Sequence, residues 1–207
     1  MLNIVVLVSG NGSNLQTILN AIERKELTGV RVAGIISNNP HSVALERGCL
    51  AGVPVRFLSP KAFENRSDFH QKLLEMIDGF QPDLVVLAGF LVVLPESIVQ
   101  KYEHRMINMH PSLIPSFCGK GYHGLKVHEA AIARGVKLAG ATVHFVDCGT
   151  DTGPILAQKA VPVLPDDTPE TLQNRVMRDA EQVLLPQVLQ WIADGRVYFR
   201  DGNALVR

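Results

Sequence analysis

Short runs rich in Val, Ile and Leu alternate with amphipathic segments through the first half of the chain. Residues 3–8, 30–36, 53–57, 83–88 and 106–110 are apolar runs of strand length. Between them, Leu15, Ile18, Leu19 and Ile22 repeat at helical spacing over 14–24, and Phe69, Leu73, Met76, Ile77 and Phe80 do so over 62–80. Residues 41–52 form a further helical segment that stops at its glycine. Short, largely apolar β-rich runs alternating with helices predict a parallel sheet covered by helices.

After Pro115 the rhythm changes. A Gly-rich stretch, 119–124, leads into a helix over 125–134 that stops at Gly135. Two strands, 139–146 and 155–163, flank the turn-rich segment 147–154 and are expected to pair antiparallel. Thr168-Pro169-Glu170 has the form of a helix start, and the helix runs to about residue 194 with a kink expected at Pro186. The expected fold is therefore α/β: a Rossmann-like, mostly parallel twisted sheet with helices on both faces and antiparallel strands added in the C-terminal half. No linker divides it, so one domain over 1–207 is expected, with halves at 1–105 and 106–207.

Composition narrows the partners. The 207 residues carry 20 basic and 20 acidic side chains, and no basic run reaches about five. No general field would draw nucleic acid or an anionic membrane, so a charged ligand must be held by local groups. Met1-Leu2-Asn3-Ile4 has no basic n-region, and no run approaches transmembrane length. Three widely spaced cysteines, Cys49, Cys118 and Cys148, fit reduced thiols and a cytoplasmic protein.

Chemistry concentrates at Asn108-Met109-His110-Pro111-Ser112-Leu113-Ile114-Pro115. In a strand the side-chain period is two, so Asn108 and His110 share one face, and the prolines then end the strand. An amide donor and a titratable ring in one fixed corner suit oxyanion stabilisation and proton movement. Asp151, in a Gly/Thr/Pro loop, is the candidate partner for His110 and is expected to raise its pKa; Asp147 is its rival. His144, alternating with apolar neighbours, reads as a supporting residue.

Ser9-Gly10-Asn11-Gly12-Ser13-Asn14 joins the first strand to the first helix, where backbone amides and the helix dipole make an anion site. Leu15 stands where a dinucleotide fingerprint needs its third glycine, and no acid ends the second strand. A single phosphate held by Gly12, Ser13 and Asn14 is the functional reading; a tight turn capped by Asn14 or Ser13 is the bland one. His128-Glu129 does not continue to H-E-x-x-H, so no metal is expected. No G-x-S-x-G elbow supports a serine hydrolase, and Cys118 alone is weak support for a thiol nucleophile.

Together Ser9 to Leu15, Leu87-Ala88-Gly89-Phe90, Asn108 to Pro115, Gly140 to Val146 and Asp151-Thr152-Gly153-Pro154 resemble the folate-dependent phosphoribosylglycinamide formyltransferases along essentially the whole chain. The resemblance implies formyl transfer from 10-formyltetrahydrofolate, a co-substrate, to the glycyl amine of glycinamide ribonucleotide in purine biosynthesis, without a metal. It implies that Asn108, His110 and Asp151 are catalytic, that Gly12, Ser13 and Asn14 hold the phosphate, and that Ser112 and His144 support them. A folate slot formed by Leu87, Phe90, Leu91, Val92, Val93 and Leu94 together with the 147–151 loop is implied, with Arg66 near the benzoyl-glutamate end. Val92 stands where some members carry arginine. Glu181, counted back from Pro186, matches the glutamate at the ribose, with one residue more than expected between it and Arg175. On this basis the first half, 1–105, binds the nucleotide phosphate and the second, 106–207, binds folate and carries catalysis, in a monomer or homodimer. The rival enzyme reading is formyltetrahydrofolate hydrolysis; the rival without catalysis is a folate- or nucleotide-binding module.

Overall fold

β-branched runs become strands where the sequence places them: β1 (Leu2–Val8), β2 (Val30–Ser37), β3 (Val55–Phe57), β4 (Leu84–Leu87) and β5 (Met106–His110). The helices between them are α1 (Ser13–Glu23), α2 (Val43–Leu50), α3 (Arg66–Asp78) and the one-and-a-half-turn α4 (Glu96–Lys101), which hydrophobic spacing had not suggested. This computed structural model describes Met1–Arg207 throughout and divides into two compact units, Met1–Asn108 and Met109–Arg207.

In the first unit the strands lie in the order β3-β2-β1-β4-β5, all parallel, with Ile4 opposite Leu84 and Leu87 opposite Asn108. Residues Ile4 to Val8 of β1 and all of β4 are covered on both faces, so these positions can be apolar; they share the core with Leu15, Ile18, Phe69, Leu73 and Ile77. Strand order reverses direction at β1. The chain leaves β1 toward β2 on one side and β4 lies on the other, so the loops after β1 and β4 flank the switch point where such sheets bind ligands.

The second unit holds the end of β5, then α5 (Leu125–Arg134), β6 (Leu138–Phe145), β7 (Ile155–Pro162), α6 (Pro169–Val176), α7 (Gln182–Ala193), β8 (Val197–Arg200) and β9 (Asn203–Val206). Strands β6 and β7 pair antiparallel as expected, with a shift in register between Val143 and His144. Their apolar side chains Ala141, Val143 and Phe145 share a core with Val127, Leu172, Val176, Leu185 and Val188. The long C-terminal helix is not continuous. A π-helical turn, Met177–Glu181, separates α6 from α7, while Pro186 sits inside α7. The β8–β9 hairpin is not evident from the sequence because its strands are only four residues long and lie partly exposed; its Asp201-Gly202 turn, both residues at positive φ, was the available signal.

Candidate active site

In the first unit, the loop after β1 turns through Gly12, whose φ of 69° places it in the left-handed region, and enters α1 with no side-chain cap. A Cβ on Gly12 would lie 2.6 Å from the Ala44 Cβ, so glycine is required by packing as well as by conformation. Neither Ser13 nor Asn14 caps the helix. The amides of Gly10, Asn11, Gly12 and Ser13 have no acceptor within the chain, and no acid occupies the first turn of α1. Four backbone donors thus lie without internal acceptors beside the positive end of a helix, which suits an anion. Ser9 joins this loop to the one after β4: its amide donates to Gly89 O (3.1 Å), and its hydroxyl accepts from the Leu91 amide (2.9 Å) and donates to Asn38 Oδ1 (2.6 Å).

In the second unit, His110, Asp151 and His144 come together. His110 Nδ1 lies 3.5 Å from Asp151 Oδ2, and His144 Nε2 lies 3.6 Å from Asp151 Oδ1. The carbonyl of Phe117 can only accept, so His110 Nε2, 3.0 Å away, carries a proton and leaves Nδ1 facing the carboxylate. By the same reasoning His144 Nδ1 donates to Phe145 O at 2.9 Å. The Gly119 amide donates to Asp151 Oδ2 at 2.9 Å. Asp147, the rival, instead accepts from Gly149 N and Thr152 Oγ1 and folds its own turn.

Burial decides the charge of His110. Desolvation pulls its pKa below the ordinary histidine value and outweighs the Phe117 carbonyl and the Asp151 carboxylate, which act in the other direction. Asp151 acts upward as expected, but burial and the neighbouring His144 set the net direction, which favours the neutral ring. Asp151 is also desolvated, which raises its pKa, but His144, the Gly119 amide and His110 together hold it below the usual carboxylate value. The Cys118 thiol is pushed up by burial and by Asp151, which disfavours a thiolate nucleophile.

Two supporting residues were not picked out from the sequence. Thr142, wholly buried, donates to Ser112 O (2.6 Å) and accepts from Ile114 N (3.1 Å), while Gln158 Nε2 donates to Ile114 O (2.9 Å). They fasten the proline segment to β6 and β7. The alternation of Thr142 with His144 in an otherwise apolar strand was the signal that could have found the first. Ser112 itself donates to Ser116 O at 2.6 Å. His128, on α5, is 1% exposed with no hydrogen-bond partner at either ring nitrogen, and burial, with the His110 charge, lowers its pKa to about 4.

Residues 2–189 match the formyl transferase family. The chain belongs to that family. It is 39% identical over 203 residues to the phosphoribosylglycinamide formyltransferase of Escherichia coli (strain K12), covering 98% of this chain and 92% of that one. Its fold matches the crystal structure of glycinamide ribonucleotide transformylase 1 from Symbiobacterium toebii with a TM-score of 0.92 at 37% identity, over 100% of this chain and 94% of the other. A formyltetrahydrofolate deformylase from Pseudomonas syringae is also similar, with a TM-score of 0.86 at 30% identity, over 99% of this chain and 65% of that one.

The remaining residues that the resemblance singles out lie at the end of β4 and after it, at the start of α3 and in the π-helical turn. Leu87 is buried at the end of β4, but Leu91 and Val93 are 62% and 74% exposed, so the run after β4 is a surface rather than the core packing that its composition alone allows. Phe90, Val92 and Leu94 are half-buried, and Arg66 is exposed at the first position of α3. Glu181 closes the π-helical turn and is buried. The π turn, which holds one residue more than an α turn, lies between Arg175 and Gln182.

Proposed function

We propose that the chain transfers the formyl group of 10-formyltetrahydrofolate to the glycyl amine of glycinamide ribonucleotide, a step of purine biosynthesis, without a covalent enzyme intermediate. The observation that carries this reading is the Asp151 carboxylate 3.5 Å from His110 Nδ1, on a strand that also bears Asn108. Asn108 and His110 are two residues apart in β5 and project to one side of it. The amine attacks the formyl carbon, and Asn108 stabilises the oxyanion that forms. Because His110 rests neutral, the proton it handles comes from the attacking amine; as imidazolium it is held against Asp151 and also stabilises the oxyanion. Collapse breaks the bond to N10 of the folate, which takes as it leaves the proton that the His110 imidazolium returns. His144 and Ser112 support Asp151 and the proline segment.

Gly12, Ser13 and Asn14 bind the phosphate through backbone amides, and Glu181 serves the ribose. The surface at Leu87, Phe90, Leu91, Val92, Val93 and Leu94 receives the flat folate ring system, with Arg66 toward its glutamate end. The first half thus carries the phosphate loop and the folate surface, and the second carries His110, Asp151 and Glu181, within a cytoplasmic protein.

Mixing the protein with 10-formyltetrahydrofolate and following tetrahydrofolate release by absorbance tests the reading. Release that requires glycinamide ribonucleotide is expected; equal release without it would assign hydrolysis instead, the activity of the similar deformylase. His110→Ala should lower turnover by roughly two to three orders of magnitude. Turnover near the wild-type value in that variant would overturn the mechanism.

A further inference from the structure

We propose that Arg47 is a positioning residue for the anion loop, holding the Asn11–Gly12 peptide so that the Gly12 amide faces the phosphate. The proposal rests on the phosphate reading given above. Arg47, on α2, donates from Nε to the Asn11 carbonyl at 2.8 Å and from Nη1 to Gln16 Oε1 at 2.8 Å. Gln16 in turn donates to Asn20 Oδ1 at 2.8 Å along α1. A trans peptide is planar, with its C=O and N–H pointing in opposite directions, so fixing one carbonyl fixes the direction of the next residue's amide. Arg47 on the Asn11 carbonyl therefore aims the Gly12 N–H.

The same device repeats along the loop. Asn39 Nδ2 donates to Ser9 O at 3.1 Å, Ser42 Oγ donates to Gly10 O at 2.6 Å, and the Gln16 amide donates to Gly12 O at 2.9 Å. Each tie turns one carbonyl away, and the amides of Gly10, Asn11, Gly12 and Ser13 are left without internal acceptors. Arg47 differs from the other ties in being charged. Both of its hydrogen bonds end on neutral oxygens, so its charge stays beside the loop, uncancelled by a carboxylate.

The test compares glycinamide ribonucleotide with the dephosphorylated riboside as acceptor. Wild-type protein is expected to show a much lower KM for the ribonucleotide. Arg47→Met should raise the ribonucleotide KM by about tenfold, with little change in kcat or in the KM for formyl-folate. Arg47→Lys should fall between, since an ammonium reaches Asn11 O or Gln16 but lacks the fork to hold both. Gln16→Leu changes no charge and should also raise the ribonucleotide KM, which keeps the test available if Arg47→Met does not fold. An unchanged ribonucleotide KM in Arg47→Met, or a wild-type KM in both Arg47→Lys and Gln16→Leu, would overturn the positioning role. Equal KM values for riboside and ribonucleotide in the wild type would instead remove the phosphate site, and the proposal with it.

Discussion

Asp151 and Gly12 are the residues whose replacement separates the two parts of the proposed chemistry. Asp151→Asn removes a charge that raises the His110 pKa, so the acid limb of the kcat/KM profile should move to lower pH while turnover falls by roughly two orders of magnitude. A limb that moved to higher pH would show that another group sets it. Gly12→Ala places a Cβ against Ala44 at a φ of 69°, and we expect a loss of about 1–3 kcal/mol in stability together with a raised ribonucleotide KM. Denaturant unfolding and steady-state kinetics measure the two effects. At this scale the sequence already exposed His110 and Asp151, because polar types in apolar or turn-rich surroundings stand out. It did not reveal that burial outweighs the carboxylate at His110, since desolvation depends on everything packed around the ring. Nor could spacing alone show Arg47 reaching Asn11 across 36 positions.

The elements of the first unit were legible because each strand is a short run rich in β-branched and other apolar residues and each long helix keeps its spacing. Those that escaped are short or irregular: α4, the β8–β9 hairpin and the π turn at Met177–Glu181. Apolar spacing over 168–194 predicts one helix because α6 and α7 each keep α-helical spacing on either side of a single wide turn. The turn predicts a tolerated deletion. Removing Arg178, exposed and paired with its neighbour Asp179, should close the wide turn into regular α-helix and leave α6 and α7 in phase. Thermal unfolding should then change by no more than about 4 °C; a larger loss would mean that the wide turn supports the core.

Over the whole molecule, stability should depend on pH through His128. The unfolded ring takes its proton near pH 6.5 and the folded one only near 4, so between those values the unfolded state binds more protons and stability rises with pH. The shift corresponds to roughly 3 kcal/mol, fully present above pH 6.5 and lost as pH falls toward 4. His128→Phe should flatten this dependence and, by removing two unpartnered ring nitrogens, leave stability at neutral pH unchanged or higher. Unfolding midpoints measured from pH 4 to 7.5 would test it; an equally steep slope in the variant would assign the effect elsewhere.

The turn from Ser9 to Ser13 has a final consequence for what it selects. With each backbone carbonyl from Ser9 to Ser13 already accepting a hydrogen bond, its main chain meets a ligand with donors only. A phosphate monoester gains its second negative charge near pH 6, and protonating it adds a hydroxyl for which this turn supplies no main-chain acceptor. Ribonucleotide affinity should therefore weaken in mildly acid solution through the ligand's own ionisation, and a phosphonate of higher second pKa should begin to weaken at correspondingly higher pH.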